Sequence, residues 1–228
     1  MNGPLNARPR RSPARFAAAA LAAASLILTA TSTTTRADLV VTAQSVTAAA
    51  GSSGNALDIT LTNTGPSSVG IGGFFVEVSV ASGSGVTFTG ANTSTSPSSY
   101  IFGANSLFGP NIGTVGSGGL SVLAFDISSV INSGATLASG TTVGLAHVLF
   151  DVSSAAAGPV TVAITPYPTT NLSDFTGNNV AINTLTNGSI TITSSSVPEP
   201  SVMTLAGVGL LGVVGVARLR RRCQSTTA

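Results

Sequence analysis

Lysine is absent from the 228-residue sequence, and its nine basic residues are all arginines, at positions 8–36 and 218–222. Tryptophan is also absent, and charged residues make up only 7% of the chain. The isoelectric point of about 9.3 therefore comes from the two ends of the chain. The long middle segment has no cationic group that could neutralise phosphates, which excludes nucleic acid as a partner. The acids are Asp38, Asp58, Glu77, Asp126, Asp151, Asp174 and Glu199.

Cysteine and histidine each occur once, and this scarcity excludes most enzymatic chemistry. Cys223 cannot form an intramolecular disulfide, because it has no second cysteine to pair with. His147 lies within an apolar run, where an isolated histidine is more typical of a structural residue than of a catalyst. No Gly-x-Ser-x-Gly motif precedes a helical pattern, and no second histidine could complete a proton relay. We therefore predict that the protein is not an enzyme and needs no cofactor.

One polar loop, at 173–179, contains oxygen ligands of the kind that Ca²⁺ uses, grouped around Asp174 and a glycine turn. The loop lacks the alternating acids and the terminal glutamate of an EF-hand. The other interpretation is a loop in which aspartate and asparagine side chains accept hydrogen bonds from the neighbouring backbone. We favour this second interpretation and predict no metal site.

The N-terminal segment has the three parts of a secretory signal peptide. Four arginines at positions 8–15 form a basic region, an apolar stretch follows at 16–30, and a polar stretch ends in the small residue Ala37. This order is typical of export signals that are absent from the mature protein. We predict that residues 1–37 are the signal peptide and that cleavage follows Ala37, with cleavage after Ala30 as the alternative.

A second three-part pattern occupies the C-terminal end. The proline-bracketed acid Val197-Pro198-Glu199-Pro200 precedes an uncharged apolar segment at 201–217, and an arginine cluster follows. A helix with a rise of about 1.5 Å per residue would reach roughly 25 Å over this segment, close to the thickness of a bilayer's hydrocarbon core. Basic residues that flank a membrane span stay in the cytoplasm. We predict a linker at 194–200, a transmembrane helix at 201–217, and a cytoplasmic tail at 218–228 with the stop signal Arg218, Arg220, Arg221 and Arg222.

This tail resembles the PEP-CTERM sorting signal of Gram-negative bacteria, in which the same parts occur in the same order. The prolines exclude helix at the residues before them, so Glu199 lies in an extended segment that a processing enzyme can recognise. The resemblance implies that an exosortase recognises residues 197–200. It also implies export, transient anchoring in the inner membrane, and delivery to the envelope, the outer surface or the extracellular space. Such tails are also labelled ice-binding-protein C-termini, but the chain has no regular Thr-x-Thr array.

Between the targeting segments, apolar and polar residues alternate with the period of two that is typical of β-strands. Residues 57–61, 74–80, 160–164 and 190–192 show this alternation, whereas 120–127 and 143–152 are apolar enough to predict strands buried on both faces. Clusters of Gly, Ser, Asn and Pro separate the runs. About eight or nine strands predict an all-β domain at 38–193, an antiparallel β-sandwich of jelly-roll or immunoglobulin-like type. A signal helix and a single transmembrane helix flank it.

The order of these strands resembles the cohesin-type β-sandwich, a module that binds dockerin partners. A strand at 57–63 precedes a Gly-Gly-Phe strand at 72–80. A long strand at 144–152, a Gly-Pro turn and a strand at 160–164 follow, and Asn187-Gly-Ser-Ile-Thr-Ile192 closes the domain. The resemblance covers residues 38–193 and implies the architecture, but it carries over no binding residues.

Two functions fit these observations. The first is a structural or adhesive role in exopolysaccharide, as in a biofilm matrix, because hydroxyl-rich loops suit a hydrated polysaccharide. We expect residues 92–99 to form such a loop, exposed at the surface. The alternative is a cohesin-like module that binds a specific protein partner or glycan. The predicted partners are an exosortase, the inner membrane during processing, and a polysaccharide or protein.

Overall fold

The computed structural model describes residues 36–130 and 133–194, which include nearly all of the predicted exported domain. The predicted signal helix, residues 195–200 with the motif Val197–Pro200, the transmembrane helix and the arginine tail lie outside the described residues. Ala37, at the predicted cleavage site, is described and packs against the core ahead of the first strand. Within the described residues, no helix is long and apolar enough to cross a membrane.

Strands make up nearly all of the regular structure in the described residues, as predicted. Two short 3₁₀ helices, Gly103–Asn105 and Ser117–Gly119, are the helical elements there. The strands are β1 Leu39–Ala43, β2 Val46–Ala49, β3 Asn55–Asn63, β4 Val69–Ile71, β5 Gly73–Ser79, β6 Val86–Asn92, β7 Gly113–Val115, β8 Ser121–Ile127, β9 Ala135–Leu137, β10 Thr142–Val152, β11 Gly158–Ile164, β12 Asn171–Ser173, β13 Asn179–Val180, β14 Thr184–Thr186 and β15 Gly188–Thr193.

Two large sheets enclose one hydrophobic core, and β4 and β9 form a separate antiparallel pair. The smaller sheet has the order β14-β1-β3-β10-β6. The larger sheet has the order β13-β12-β5-β11-β15-β2, and β8 pairs with the other side of β5 and with β7. Inward side chains of both sheets form the core, in which Phe74, Phe88 and Phe150 are the largest fully buried residues. Burial of each such ring stabilises the folded state by about 1.5–3 kcal/mol. The predicted alternation sends the rings to one face of each strand, and this is why the two sheets pack face to face.

The sandwich is antiparallel as predicted, except at two pairs of strands. β1 pairs with β14 and β2 pairs with β15 in the parallel sense. The reason is that both ends of the domain pass from the smaller to the larger sheet at the same place. The N–H of Ser189 donates to the Oγ of Ser45 there. The two segments of the chain lie so close at Gly188 that a Cβ there would overlap the backbone of Ala43.

The prediction that two strands are buried on both faces is wrong. In β8, buried and half-buried residues alternate, and in β10 they alternate from Ala146 onward. Each strand therefore faces the core on one side only. The number of strands exceeds the prediction because several, such as β13 and β14, are only two or three residues long. Segments this short cannot display a period of two.

Candidate functional site

An aromatic patch lies on the outer face of the larger sheet. Phe75 of β5 and Phe125 of β8 are register partners, and their rings stack with centroids 5.7 Å apart. The ring of Phe108 meets that of Phe125 at an angle of 62°, with centroids 5.3 Å apart. Leu107 and Ile127 complete the patch, and the Leu107 N–H donates to the Ile127 carbonyl over 3.1 Å. All of these residues except Phe125 are between 38% and 51% exposed.

The strand period explains why these rings face outward. Phe74 and Val76 fill the core, so Phe75 between them must point to the opposite face of β5. Ala124 and Asp126 are likewise buried in β8, which sends Phe125 outward. The rings of Phe75 and Phe125 therefore stand on paired strands and are held in place without a partner.

A buried carboxylate holds the loop that supplies the rest of the aromatic patch. Asp126 has no exposed surface. Its Oδ2 accepts hydrogen bonds from the Tyr100 hydroxyl at 2.6 Å and the Ser106 hydroxyl at 2.5 Å. Its Oδ1 accepts from the backbone N–H groups of Leu107 at 3.2 Å and Phe108 at 3.0 Å, and from its own neighbour in β8 at 2.8 Å. Five donors thus satisfy the charge and fix the loop beside Phe125.

Tyr100 links this carboxylate to the core. Its ring meets Phe74 and Phe102 edge-on, with centroids 6.5 and 6.2 Å apart. Burial, together with the hydrogen bond to Asp126, raises the pKa of the Tyr100 hydroxyl above its ordinary range. The hydroxyl therefore stays protonated and remains a donor at physiological pH.

The chemistry of the aromatic patch is that of a docking surface. It is apolar and largely aromatic, and its five residues include no nucleophile or general base. Glu77 lies next to it on the same face of β5, opposite Leu123 of β8. Exposed aromatic rings with a charge at the rim are the composition that is enriched in protein interfaces.

His147 is hydrogen-bonded to Asp58 on the outer face of the smaller sheet. Its Nδ1 lies 2.6 Å from Oδ1 of Asp58, its register partner in β3. Asp58 points outward as predicted but is only 4% exposed, because the loop after β6 covers it. The N–H of Ser96 donates to Asp58 Oδ2 over 2.6 Å.

The 93–99 loop lies at the surface as the sequence predicts, with Ser94, Ser96, Pro97 and Ser99 exposed, but it is also held against the smaller sheet. The N–H of Gly144 in β10 donates to the carbonyl of Ser99 over 2.9 Å. Thr95 occupies the space where a side chain at position 144 would lie. The loop packs across the smaller sheet because glycine leaves room for it, and it encloses the pair formed by His147 and Asp58.

In the 173–179 loop, the Asp174 side chain accepts hydrogen bonds from the loop's own residues, which is the interpretation favoured above. Oδ1 of Asp174 accepts from the Thr176 hydroxyl at 2.7 Å, and from the backbone N–H groups of Thr176 at 2.8 Å and Asn178 at 2.9 Å. The Thr176 hydroxyl is the main cause that lowers the pKa of Asp174 to about 2. Among residues 36–130 and 133–194, no group of three or more His, Cys, Asp or Glu side chains could hold a metal ion.

The aromatic patch and its buried carboxylate were missed by the sequence reasoning. In the sequence Asp126 is one of a few scattered acids, but an acid inside an apolar strand requires several donors around it. The alternation at Phe74-Phe75 predicts a strand without indicating what its outer face contacts. Phe75 lies on the polar face of an alternating strand, and this position indicates an exposed aromatic surface.

With the geometry described, comparison with solved structures defines the class of the domain as a cohesin-like β-sandwich. The sixth cohesin of scaffoldin B from Acetivibrio cellulolyticus matches with a TM-score of 0.51 and 18% identity, covering 68% of this chain and 99% of the cohesin. A type I cohesin–dockerin complex from Clostridium thermocellum matches with a TM-score of 0.50 and 16% identity, over 71% and 97%. CaCohA2 from Clostridium acetobutylicum matches at 0.50 and 17%, over 68% and 91%. At these identities the similarity shows the fold.

The tail is identified independently. Residues 196–222 match the PEP-CTERM protein-sorting motif, so the chain carries this motif as predicted. The match includes the predicted processing residues Val197, Pro198, Glu199 and Pro200, and the arginines at 218–222. No curated protein matches the chain in sequence.

Proposed function

We propose that the protein is an exported, exosortase-processed surface module whose cohesin-like domain binds a protein partner through the aromatic patch. The observation that carries this proposal is the exposure of stacked rings on a rigid sheet. Burial of apolar surface lowers the free energy by about 25 cal/mol for each Å² that is removed from water. Phe75, Leu107 and Phe108 expose such surface, so a partner that covers them binds favourably.

The sorting motif supports the proposed route to the surface. An exosortase would recognise Glu199 between its two prolines while residues 201–217 hold the precursor in the inner membrane. Release from this segment would deliver the domain to the envelope, the outer surface or the medium. The processed protein would then act through its β-sandwich alone.

The role is binding rather than catalysis. Asp126 is enclosed by five donors, so it is not available to a substrate. His147 has its Nδ1 bonded to Asp58, and no second histidine or cysteine in the domain could work with it as a nucleophile or relay. Asp174 is held by its own loop. A general acid or base must reach the substrate at hydrogen-bond distance, which these contacts oppose.

The partner that this interpretation favours is a dockerin-like protein. The cohesins from Acetivibrio cellulolyticus and Clostridium thermocellum were both solved in complex with dockerins. For this chain, a partner would need an apolar surface that covers the rings, with a donor near Glu77.

The test is capture of the partner by the processed protein, followed by measurement of the affinity with the purified partner. Phe75→Ala and Phe108→Ala should each weaken binding at least about tenfold, since central aromatic residues dominate interfaces. Phe175→Ala is the matched control, because this ring is 51% exposed but lies outside the aromatic patch. Equal affinities for all three variants and the wild type would show that the partner does not use the aromatic patch.

A structural or adhesive role in exopolysaccharide is the second candidate. The outer face of β11, β15 and β2 favours it, because hydroxyl side chains lie in register there and those of Thr161, Thr191 and Thr47 are exposed. Thr161 lies opposite Ser189, and Thr191 lies opposite Thr47 of β2. Such a face can exchange hydrogen bonds with sugar hydroxyls. The test is co-sedimentation of the processed protein with exopolysaccharide from the host, and a protein that stays in solution would contradict this role.

A further inference from the structure

A groove of about 380 Å³ lies where the edges of the two sheets approach each other. The loop after β11 and the start of β12 form one wall. The other wall is the chain from 179 to 185, which leaves β13 in the larger sheet and enters β14 in the smaller one. The volume lies within the range of about 300–1,000 Å³ that is typical of small-ligand sites. No residue of the aromatic patch lines this groove.

Tyr167 presents an open aromatic ring at the groove. It is 70% exposed, more than any other large apolar side chain among the described residues. Its ring makes no contact with another aromatic ring in the described part of the chain. A tyrosine ring combines an apolar face with a polar hydroxyl. Such a face can pack against the C–H groups on one side of a pyranose ring.

Three asparagines supply polar groups around this ring. Asn171 uses its Nδ2 to donate to the carbonyl of Pro168 at 2.8 Å, which leaves its Oδ1 as an acceptor. Asn183 uses its Oδ1 to accept from the N–H of Leu39 at 3.1 Å, which leaves its Nδ2 as a donor. The exposed side chain of Asn179 makes no hydrogen bond within residues 36–130 and 133–194. Amides that both donate and accept are suited to hydroxyl groups, which do the same.

The groove has no charge. None of its lining residues is acidic or basic, so neither an anion nor a cation would find a counter-charge there. An ionic ligand would lose its hydration without compensation. The lining therefore favours a ligand with many hydroxyl groups and no charge.

We propose that this groove binds an uncharged oligosaccharide segment of an extracellular polysaccharide. Tyr167 packs against a sugar ring, and the asparagine amides bond to hydroxyl groups on either side of it. This inference rests on the proposed adhesion to polysaccharide, and it is independent of protein binding at the aromatic patch.

The experiment titrates the processed protein with neutral hexasaccharides (cellohexaose, mannohexaose and isomaltohexaose) and with an anionic alginate hexamer. The chain contains two tyrosines and no tryptophan, so tyrosine fluorescence reports directly on the site. Tyr100 is hydrogen-bonded to Asp126 inside the domain, and a ligand-dependent change therefore comes from Tyr167. We expect saturable binding of at least one neutral hexamer and none of the anionic one.

Tyr167→Ala should weaken this binding about tenfold or more, and Asn179→Ala should weaken it less. Tyr167→Phe should retain binding because it keeps the ring, and Phe175→Ala should leave it unchanged. Calorimetry provides the affinity of Tyr167→Ala, which lacks the fluorescent ring. Equal affinity in Tyr167→Ala and the wild type would overturn the proposal.

Three further outcomes would also overturn it and identify what failed. If no neutral hexamer binds at about 1 mM while the protein still sediments with host exopolysaccharide, adhesion stands and the groove is not its site. If Tyr167→Ala instead loses the protein partner, the groove belongs to the protein interface. Failure of both sugar assays would reject adhesion together with the groove.

Discussion

Replacement of Asp126 by asparagine tests the link between the core and the aromatic patch. The carboxylate is fully buried and accepts five hydrogen bonds, two from hydroxyls on Oδ2 and three from backbone N–H groups on Oδ1. An amide keeps the acceptor toward the backbone but puts an NH₂ group against the hydroxyls of Tyr100 and Ser106. These hydroxyls must then turn away or lose their partner.

The cost follows from the strength of each bond. A hydrogen bond to a charged group contributes about 1.5–3 kcal/mol and a neutral one about 0.5–1.5 kcal/mol. Because the five bonds share one group, their losses do not add in full, and Asp126→Asn should lower the free energy of unfolding by about 2–4 kcal/mol. Tyr100→Phe removes a single donor and leaves the carboxylate with the other four. Its cost should be about 1.5–3 kcal/mol, the range for one bond to a charged group.

Urea unfolding followed by circular dichroism measures both costs on the processed protein. Asp151→Asn is the matched control, because Asp151 accepts one bond at an exposed site, from the N–H of Gly54 at 2.8 Å. Its effect should stay below about 1 kcal/mol. Partner affinity should fall in Asp126→Asn, since the loop with Phe108 is released. An Asp126→Asn protein within about 0.5 kcal/mol of the wild type would refute the structural role assigned to this carboxylate.

Three further predictions concern other parts of the chain. Mass spectrometry of envelope material should find mature C-termini near residues 197–201, and Glu199→Ala should leave the intact precursor in the inner membrane; intact protein in wild-type cells with an active exosortase would contradict this. His147→Ala should cost about 1 kcal/mol in urea unfolding without changing partner affinity, because Asp58 keeps its bond from Ser96. The pKa of Asp174 is lowered from 3.8 to about 2, so its stabilising effect is complete above about pH 4 and is lost as the pH falls toward 2. Thermal unfolding of Asp174→Asn should therefore show a smaller change over this range than the wild type.

The alternation of apolar and polar residues predicted which side chains form the core. Leu57, Ile59 and Leu61 are fully buried in β3, and Phe74, Val76 and Val78 are buried in β5, as predicted. Alternation is a local property, since each strand must send one face to the core whatever its neighbours are. The sorting motif is equally local, because its proline, apolar and arginine parts are contiguous.

The pairing of the strands, and the loops that cover the sheets, could not be predicted in this way. The parallel pairs β1–β14 and β2–β15 join residues more than 140 positions apart in sequence, and nothing local specifies their direction. The same is true of Asp58, whose outward position was predicted correctly. Its burial depends on a loop that crosses the sheet over Gly144.

The sequence by itself thus determined which faces of β3 and β5 turn to the core, the absence of cationic and thiol chemistry in the domain, and the sorting motif at its end. The tertiary structure alone decided which outward residues meet. Phe75, Phe108 and Phe125 become one surface because β5 and β8 pair in register and Asp126 holds the intervening loop. Tyr167 and Asn183 face the same groove because the chain passes between the two sheets at that edge. Such contacts depend on strand register and loop path, which are set by the packing of the whole domain.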